Sequence, residues 1–302
     1  MPKLAKAEQT LFQTMSETGA TPVPLNSHRL LIMPLEDHLG DLLAKARAMT
    51  DLTLETAARA VGLPAARYAE IESTGQIPGS LDLAPLARMI ELDPAKLQAI
   101  ADGWVPAARD LARWPHLHQI VTEREGTSVN CYLVWDEATR AAALFDTGWN
   151  TVEVRRLVAA HGLRLETLFI THAHTDHVAA LDEVVRHFPG VRVRRKLADG
   201  DGTAVGNLRV RVRATPGHAS EGLTWIVDGW PGGAPAVAVV GDAIFAGSIG
   251  RGFQSWLLAR AGVREQIFTL PPETLLCPGH GPVTTVAEEL AHNPFFPSAP
   301  PA

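Results

Sequence analysis

Cysteine is scarce: two in 302 residues, Cys131 and Cys277, far apart in the chain. That excludes a disulfide framework and leaves buried, reduced thiols as the simplest account. Basic charge is also short. Lys and Arg number 27 against 33 Asp and Glu, a formal net charge of −6, so neither nucleic acid nor an anionic membrane is indicated as the main partner. No apolar run reaches the roughly 20 residues a helix needs to span a bilayer. The first twenty residues hold no continuous apolar core of the kind a signal peptide requires. Nor is there an evident Ser-His-Asp or Cys-His arrangement. The expectation is a soluble, cytoplasmic protein. Its 46% apolar and 20% charged residues suit a sizeable core. Its length suits two domains, or one large domain with an appendage.

What is present is concentrated in Thr171-His172-Ala173-His174-Thr175-Asp176-His177. The preceding run, Leu165 to Ile170, reads as a buried strand, and Val178 to Phe188 has helical spacing. Residues two apart on extended backbone share a side, so His172 and His174 can face one cation. Asp176 and His177, where the helix starts, project differently and suit a neighbouring ion. Imidazole and carboxylate are the usual ligands of zinc-class metals.

Taken in order, the chain divides at about residues 35 and 103. In 1–35, Met1 to Glu17 has the pattern of a short amphipathic helix, and Thr18 to Pro34 reads as a linker broken by Gly and Pro. Residues 36–103 are helical. Leu39, Leu42, Leu43 and Ala46 line a first helix, Thr53 caps a second that Gly62 stops, Pro64 to Glu72 make a third, and Leu81 to Ala101 add one or two more. The two short helices around Val61-Gly62-Leu63-Pro64 make a helix-turn-helix pattern. This stretch resembles the DNA-binding domain of the Cro and phage-repressor type. Its eleven acidic residues outnumber six basic ones, the reverse of what phosphate contact demands. The segment matching the recognition helix, Pro64 to Glu70, offers one arginine and no Asn, Gln or Lys for base edges. A dimerisation or docking module is the expectation, with a homodimer through the helices, ahead of DNA binding.

Residues 104–302 alternate strands and helices. Strands are expected at His118–Val121, Val129–Trp135, Ala141–Phe145, Leu165–Ile170, Val191–Arg195, Leu208–Arg213, Leu223–Val227, Ala236–Val240 and Thr274–Cys277. Helices are expected at Thr151–His161, Val178–Phe188, Ser255–Ile267 and Val286–His292, with Pro297 to Ala302 as a tail. This order suggests two sheets with helices outside them. Three further stretches carry metal-type residues just after strands: Thr215-Pro216-Gly217-His218, Val240-Gly241-Asp242, and Pro278-Gly279-His280-Gly281-Pro282. Each alone is ordinary loop chemistry. In this order, after the histidine cluster, they are specific.

The set resembles the metallo-β-lactamase superfamily. Within it, Gly241 to Arg251, Asn130-Cys131-Tyr132 and Asn293-Pro294-Phe295 are similar to the glyoxalase II (hydroxyacylglutathione hydrolase) branch. The likeness covers about residues 116–296. It implies an α+β chain: an αββα sandwich with the metals at one edge, here preceded by the small all-α region. It also implies that His172, His174 and His218 hold one metal, that Asp176, His177 and His280 hold the other, and that Asp242 bridges them. Two divalent ions are implied, zinc first, with iron or manganese as alternatives. Their shared hydroxide would be the nucleophile and the substrate a small-molecule thioester such as an S-hydroxyacylglutathione. Asp176 and Asp242 are the candidate catalytic carboxylates, Asp146 and Thr171 the candidate supports of the ligands, and Arg251 the candidate contact for a substrate carboxylate. Where the branch carries an aromatic after the last histidine, Gly281-Pro282 stands, and Gly252-Phe253 replaces its usual Thr-Asp. An iron persulfide dioxygenase, using part of the same ligand set, is the first alternative, and a metal-sensing DNA-binding regulator the second. The other histidines (His28, His38, His116, His118, His161, His187 and His292) are expected to be surface or packing residues.

Overall fold

The structure is a computed structural model that describes residues 33–77, 79–196 and 198–297. The helix expected at Met1–Glu17, most of the linker after it and the end of the tail lie outside the described residues.

Among the described residues five helices come first: α1 (Leu39–Met49), α2 (Leu54–Ala60), α3 (Ala65–Thr74), α4 (Ala84–Met89) and α5 (Pro94–Ala101). Their starts follow from side-chain caps. His38 Nδ1 accepts from the Asp41 N–H while Asp41 accepts from the His38 N–H, a reciprocal box. Thr53 caps α2, and the Asp93 carboxylate accepts from Ala95 and Lys96 N–H at the start of α5. Gly40 lets α1 lie directly on α3, because a Cβ there would strike the carbonyls of Ile71 and Glu72.

The rest of the chain builds two sheets. The first runs in order through β1 (Leu117–Arg124), β2 (Thr127–Trp135), β3 (Ala141–Phe145), β4 (Arg164–Phe169) and β5 (Arg192–Arg194). The second has β6 (Gly202–Val205), β7 (Leu208–Ala214), β8 (Leu223–Asp228), β9 (Val237–Gly241), β10 (Leu275–Pro278) and β11 (Thr284–Thr285), ordered β11-β10-β9-β8-β7-β6. The alternation of each strand sorts its side chains between layers. Tyr132, Val134, Ala143 and Phe145 meet Val212, Trp225, Val227 and Val239 between the sheets. Cys131, Leu133 and Trp135, the alternate residues of β2, pack outward against Val154 and Leu157 of α6 (Val152–Ala160). On the outer face of the second sheet, Ile226, Ala238, Val240 and Leu276 share one continuous core with Leu43, Ile90, Leu97 and Ile100 of the amino-terminal helices. Helices therefore cover both outer faces, giving the αββα arrangement.

Two differences from the sequence pattern bear on the site. The helix after the histidine motif starts at Thr175 rather than Val178, as α7 (Thr175–Val178). It then breaks before α8 (Leu181–His187). The break has a tertiary cause. Thr147 donates its N–H to the His177 carbonyl at 2.8 Å, and its hydroxyl accepts from the Ala180 N–H at 3.1 Å. The Asp146-Thr147-Gly148 turn thus takes groups that a continuous helix would pair internally. β6 and β11 were not expected, being only 4 and 2 residues long. The last helices are α9 (Trp256–Gly262), which runs on into a π-helical turn at Val263–Ile267, and α10 (Val286–His292).

Candidate metal centre

The site forms where β4, β7, β9 and β10 all end at one edge of the sandwich. Trp225, 1% exposed, donates its indole N–H to the Ile170 carbonyl at 3.1 Å and so ties the second sheet to the base of the histidine motif. Beyond it, His172 and His174 lie in the loop after β4, His174 on extended backbone, while Asp176 and His177 sit in the first turn of α7. His218 follows β7, Asp242 follows β9 and His280 follows β10.

Two groups of donor atoms result, each drawn within 4.8 Å: His172, His174, His218 and Asp242, and Asp176, His177 and His280. Asp242 lies between them. Its Oδ1 is 3.2 Å from His177 Nε2, and its Oδ2 is 3.4 Å from His218 Nε2 and 3.6 Å from His280 Nε2. His280 Nε2 is also 3.2 Å from Asp176 Oδ2, and His218 Nε2 is 2.9 Å from His174 Nδ1.

The donors face a common space because their outer atoms are held. His177 Nδ1 lies 2.8 Å from Asp146 Oδ2, His172 Nδ1 3.1 Å from the Thr171 hydroxyl, His218 Nδ1 2.9 Å from the Arg251 carbonyl and His280 Nδ1 2.6 Å from the Ser128 carbonyl. A partner on one ring nitrogen fixes the tautomer and turns the other inward. Asp146 itself is held by Thr171, whose N–H and hydroxyl both donate to it, at 2.8 and 2.7 Å.

The fit to metal is testable on the protein atoms alone. His172 Nε2, His177 Nε2 and Asp242 Oδ1 are buried without a hydrogen-bond partner, a costly arrangement for polar atoms that nothing is to bind. Gly279 keeps the space open, since a Cβ on it would run into the Asp242 carboxylate and the His177 ring. Gly250 lets its loop close over Asp242, where a Cβ would strike the Asp242 carbonyl. An all-nitrogen-and-carboxylate donor set suits zinc-class divalent ions.

Carboxylates and imidazoles at the site interact strongly. Burial opposes ionisation of Asp242, but the imidazoles of His177, His280 and His172 outweigh it and hold its carboxyl well below the usual range. Burial likewise opposes a charge on His177, yet Asp242 and Asp146 push its pKa well up. For His172 burial prevails, with the nearby His177 acting in the same sense, and its pKa falls to about 2.

All seven expected ligands converge, and Asp146 and Thr171 lie directly behind them. Arg251 differs in kind from the expectation: its side chain is exposed, and it is the backbone carbonyl that meets the site. The Ser128 carbonyl has no side-chain signature by which the sequence could mark it. Asn130 does, and it acts on the last turn: its amide donates to the carbonyls of Pro278 and Gly281 at 3.0 and 2.9 Å, while the Tyr132 hydroxyl donates to Pro278 at 2.7 Å. Phe253, 66% exposed, sets its ring 5.4 Å from His218 and 6.0 Å from His174, giving the first group an apolar rim.

Comparison with known proteins accords with this geometry. The family model of the metallo-beta-lactamase superfamily matches residues 124–236. A probable metallo-hydrolase of Bacillus subtilis, YqgX, is 30% identical over 188 residues, covering 51% of this chain and 86% of the relative. The mitochondrial persulfide dioxygenase ETHE1 of Homo sapiens is 30% identical over 181 residues, 54% of this chain and 69% of the relative. A hydroxyacylglutathione hydrolase of Fuscovulum blasticum is 32% identical over 162 residues, 49% of this chain and 61% of the relative. The chain belongs to the metallo-beta-lactamase superfamily.

Proposed function

We propose that this chain is a two-metal hydrolase of small thioesters, of the S-hydroxyacylglutathione kind. One observation carries the reading: two adjacent groups of donors converge, and the Asp242 carboxylate lies between them, within 3.2–3.6 Å of His177, His218 and His280. His172, His174 and His218 would hold one ion, and Asp176, His177 and His280 the other. Zinc is the first choice, and iron or manganese accept the same donors. Ions held there would lower the pKa of a bound water and polarise a substrate carbonyl.

The chain's own residues supply the rest. Asp242 sets the spacing of the two groups. Asp176, with 19% of its side chain exposed against 8% for Asp242, is the carboxylate placed to accept a proton from the attacking water. A thioester suits a site of this kind because a thiolate departs without a strong general acid. The exposed Phe253 ring borders the first donor group and would meet the thiol-bearing arm, and Arg251, anchored to His218 through its carbonyl, would partner a substrate carboxylate with its exposed side chain.

The test is metal analysis of the purified protein together with thiol release from an S-hydroxyacylglutathione. Two equivalents of zinc and turnover that His218→Ala or Asp242→Ala abolishes are the expected results. One equivalent of iron, with oxygen uptake on glutathione persulfide, would replace this reading by the dioxygenase one, which the likeness to ETHE1 favours.

Against a DNA-binding regulator, three of the basic side chains of the helices have partners within the protein: Arg67 pairs with Glu70, Arg47 with Glu72 and Arg59 with Thr56. Among the described residues no helix is long and apolar enough to cross a membrane. Both cysteines are unbonded and buried, which supports a reducing, cytoplasmic setting.

A further inference from the structure

The metal edge is gripped from the amino-terminal side at three points, two on the segment that follows Asp242, Ala243 to Arg251, and one on the turn that carries His280. The first is a buried ion pair. Lys45, on the apolar face of α1, pairs with Asp37, and the side chains are 4% and 9% exposed. Lys45 Nζ also donates to the Ile249 carbonyl at 3.0 Å, across 204 residues of sequence, and the Ser248 hydroxyl donates to Asp37. The second is steric. Ile100 and Trp104, at the end of α5, sit against Gly247, where a Cβ would come within 2.8 and 3.0 Å of them. The third is Glu36. Its backbone lies under Gly281, and its carboxylate stands 4.0 Å from His280 Nδ1.

These contacts lead directly to ligands. Ile249 is followed by Gly250, which packs on the Asp242 carbonyl, and by Arg251, whose carbonyl holds His218 Nδ1 at 2.9 Å. A buried charge pair is a poor device for attaching one layer to another, because well-packed apolar residues serve as well or better. It is a good device for fixing the position of a single carbonyl and a single hydroxyl.

We propose that Asp37, Lys45 and Glu36 are positioning residues of the metal centre, so that the amino-terminal helices act as its outer wall: Asp37 and Lys45 set His218 and Asp242 through the Ser248–Arg251 segment, and Glu36 supports His280. The proposal rests on the two-ion reading of the site and is independent of a thioester as substrate. Outer partners of metal ligands govern affinity by about 10- to 100-fold. The links reach different ions, so they separate positioning from plain stability.

The experiment is stepwise zinc titration of the full chain against a chromophoric chelator, with far-UV circular dichroism and Tm recorded alongside. Wild type is expected to take up two equivalents; uptake of none would defeat the metal reading itself and the proposal with it. Asp37→Leu with Lys45→Met removes both charges without stranding either. This pair is expected to weaken by about tenfold the ion held by His172, His174 and His218, and by less the other ion, which it reaches only through Asp242. Glu36→Gln is expected to show the opposite pattern, weakening the ion on His280. Ser248→Ala cuts the Asp37 link from the loop side, leaves the helices untouched, and is expected to act like the double variant. If the double variant fails to fold, Ser248→Ala decides. Zinc affinities unchanged in the folded variants, whatever their Tm, would overturn the proposal.

Discussion

Replacing Asp146 by asparagine tests how the metal-facing tautomer is set. Asp146 is 1% exposed, and its carboxylate receives three groups: the Thr171 N–H, the Thr171 hydroxyl and His177 Nδ1. A carboxylate is acceptor-only and satisfies all three, whereas asparagine retains one oxygen. If that oxygen stays with the Thr171 N–H, the amide NH2 faces His177, whose proton then moves from Nδ1 to Nε2. Nε2 is the nitrogen 3.2 Å from Asp242, and with a proton on it the ring is no ligand. Metal binding forces the opposite amide orientation, which sets the NH2 against the buried Thr171 N–H. A buried donor without an acceptor costs about 1–3 kcal/mol. Zinc affinity of the ion held by His177 should therefore fall by about 5- to 140-fold, taking 1.4 kcal/mol for each tenfold. Competition with a chelator of known affinity measures this directly. An Asp146→Asn protein with native circular dichroism and wild-type zinc affinity would refute the tautomer argument.

Two other outcomes are expected. Gly279→Ala places a methyl group against the Asp242 carboxylate and the His177 ring, so its zinc stoichiometry should drop while the fold persists. Full zinc loading of that variant would mean that the space between these side chains is not where an ion sits. Glu289 is wholly buried, and burial pushes its carboxyl from an ordinary 4.5 up to about 7, despite hydrogen bonds from Asn293, Thr284 and Gly247. The folded chain thus holds a proton that the unfolded chain releases near pH 4.5. The contribution of Glu289 to stability is full below that pH and is lost as pH rises toward 7, by about 3 kcal/mol at 1.36 kcal/mol per pH unit between the two values. Urea midpoints of Glu289→Gln between pH 5 and 7.5 should vary less than those of wild type, and an equal slope would argue against a protonated Glu289.

The ligands were legible in the sequence because their chemistry is in their side chains and their places are strand ends. His172, His174, Asp242 and His280 follow short apolar runs, and His218 follows the alternating Leu208 to Arg213, all of them strand patterns. The atoms that orient them were harder to read. The carbonyls of Ser128 and Arg251 belong to the backbone, and no residue type advertises them. The break between α7 and α8 depends on the Thr147 hydroxyl, which arrives from more than thirty residues upstream. Lys45 did carry a signal, as a lone cation on a face otherwise made of Leu39, Leu42, Leu43 and Ala46. The pattern alone could not say what it met, because its acceptor at Ile249 is 204 residues away.

The shared core between the first helices and the second sheet has a bearing on how the chain comes together. Lys45 reaches Ile249, and Lys96 donates to the Phe296 carbonyl 200 residues on. Leu43, Ile90 and Leu97 are thus synthesised long before Val240 and Leu276, the residues that cover them, leave the ribosome. Contacts of such separation close late. Capture of an ion at Asp242 and His280 is therefore expected to wait until β9 and β10 have packed against the first helices. Zinc uptake by ribosome-bound chains should begin only once the carboxyl-terminal residues have emerged.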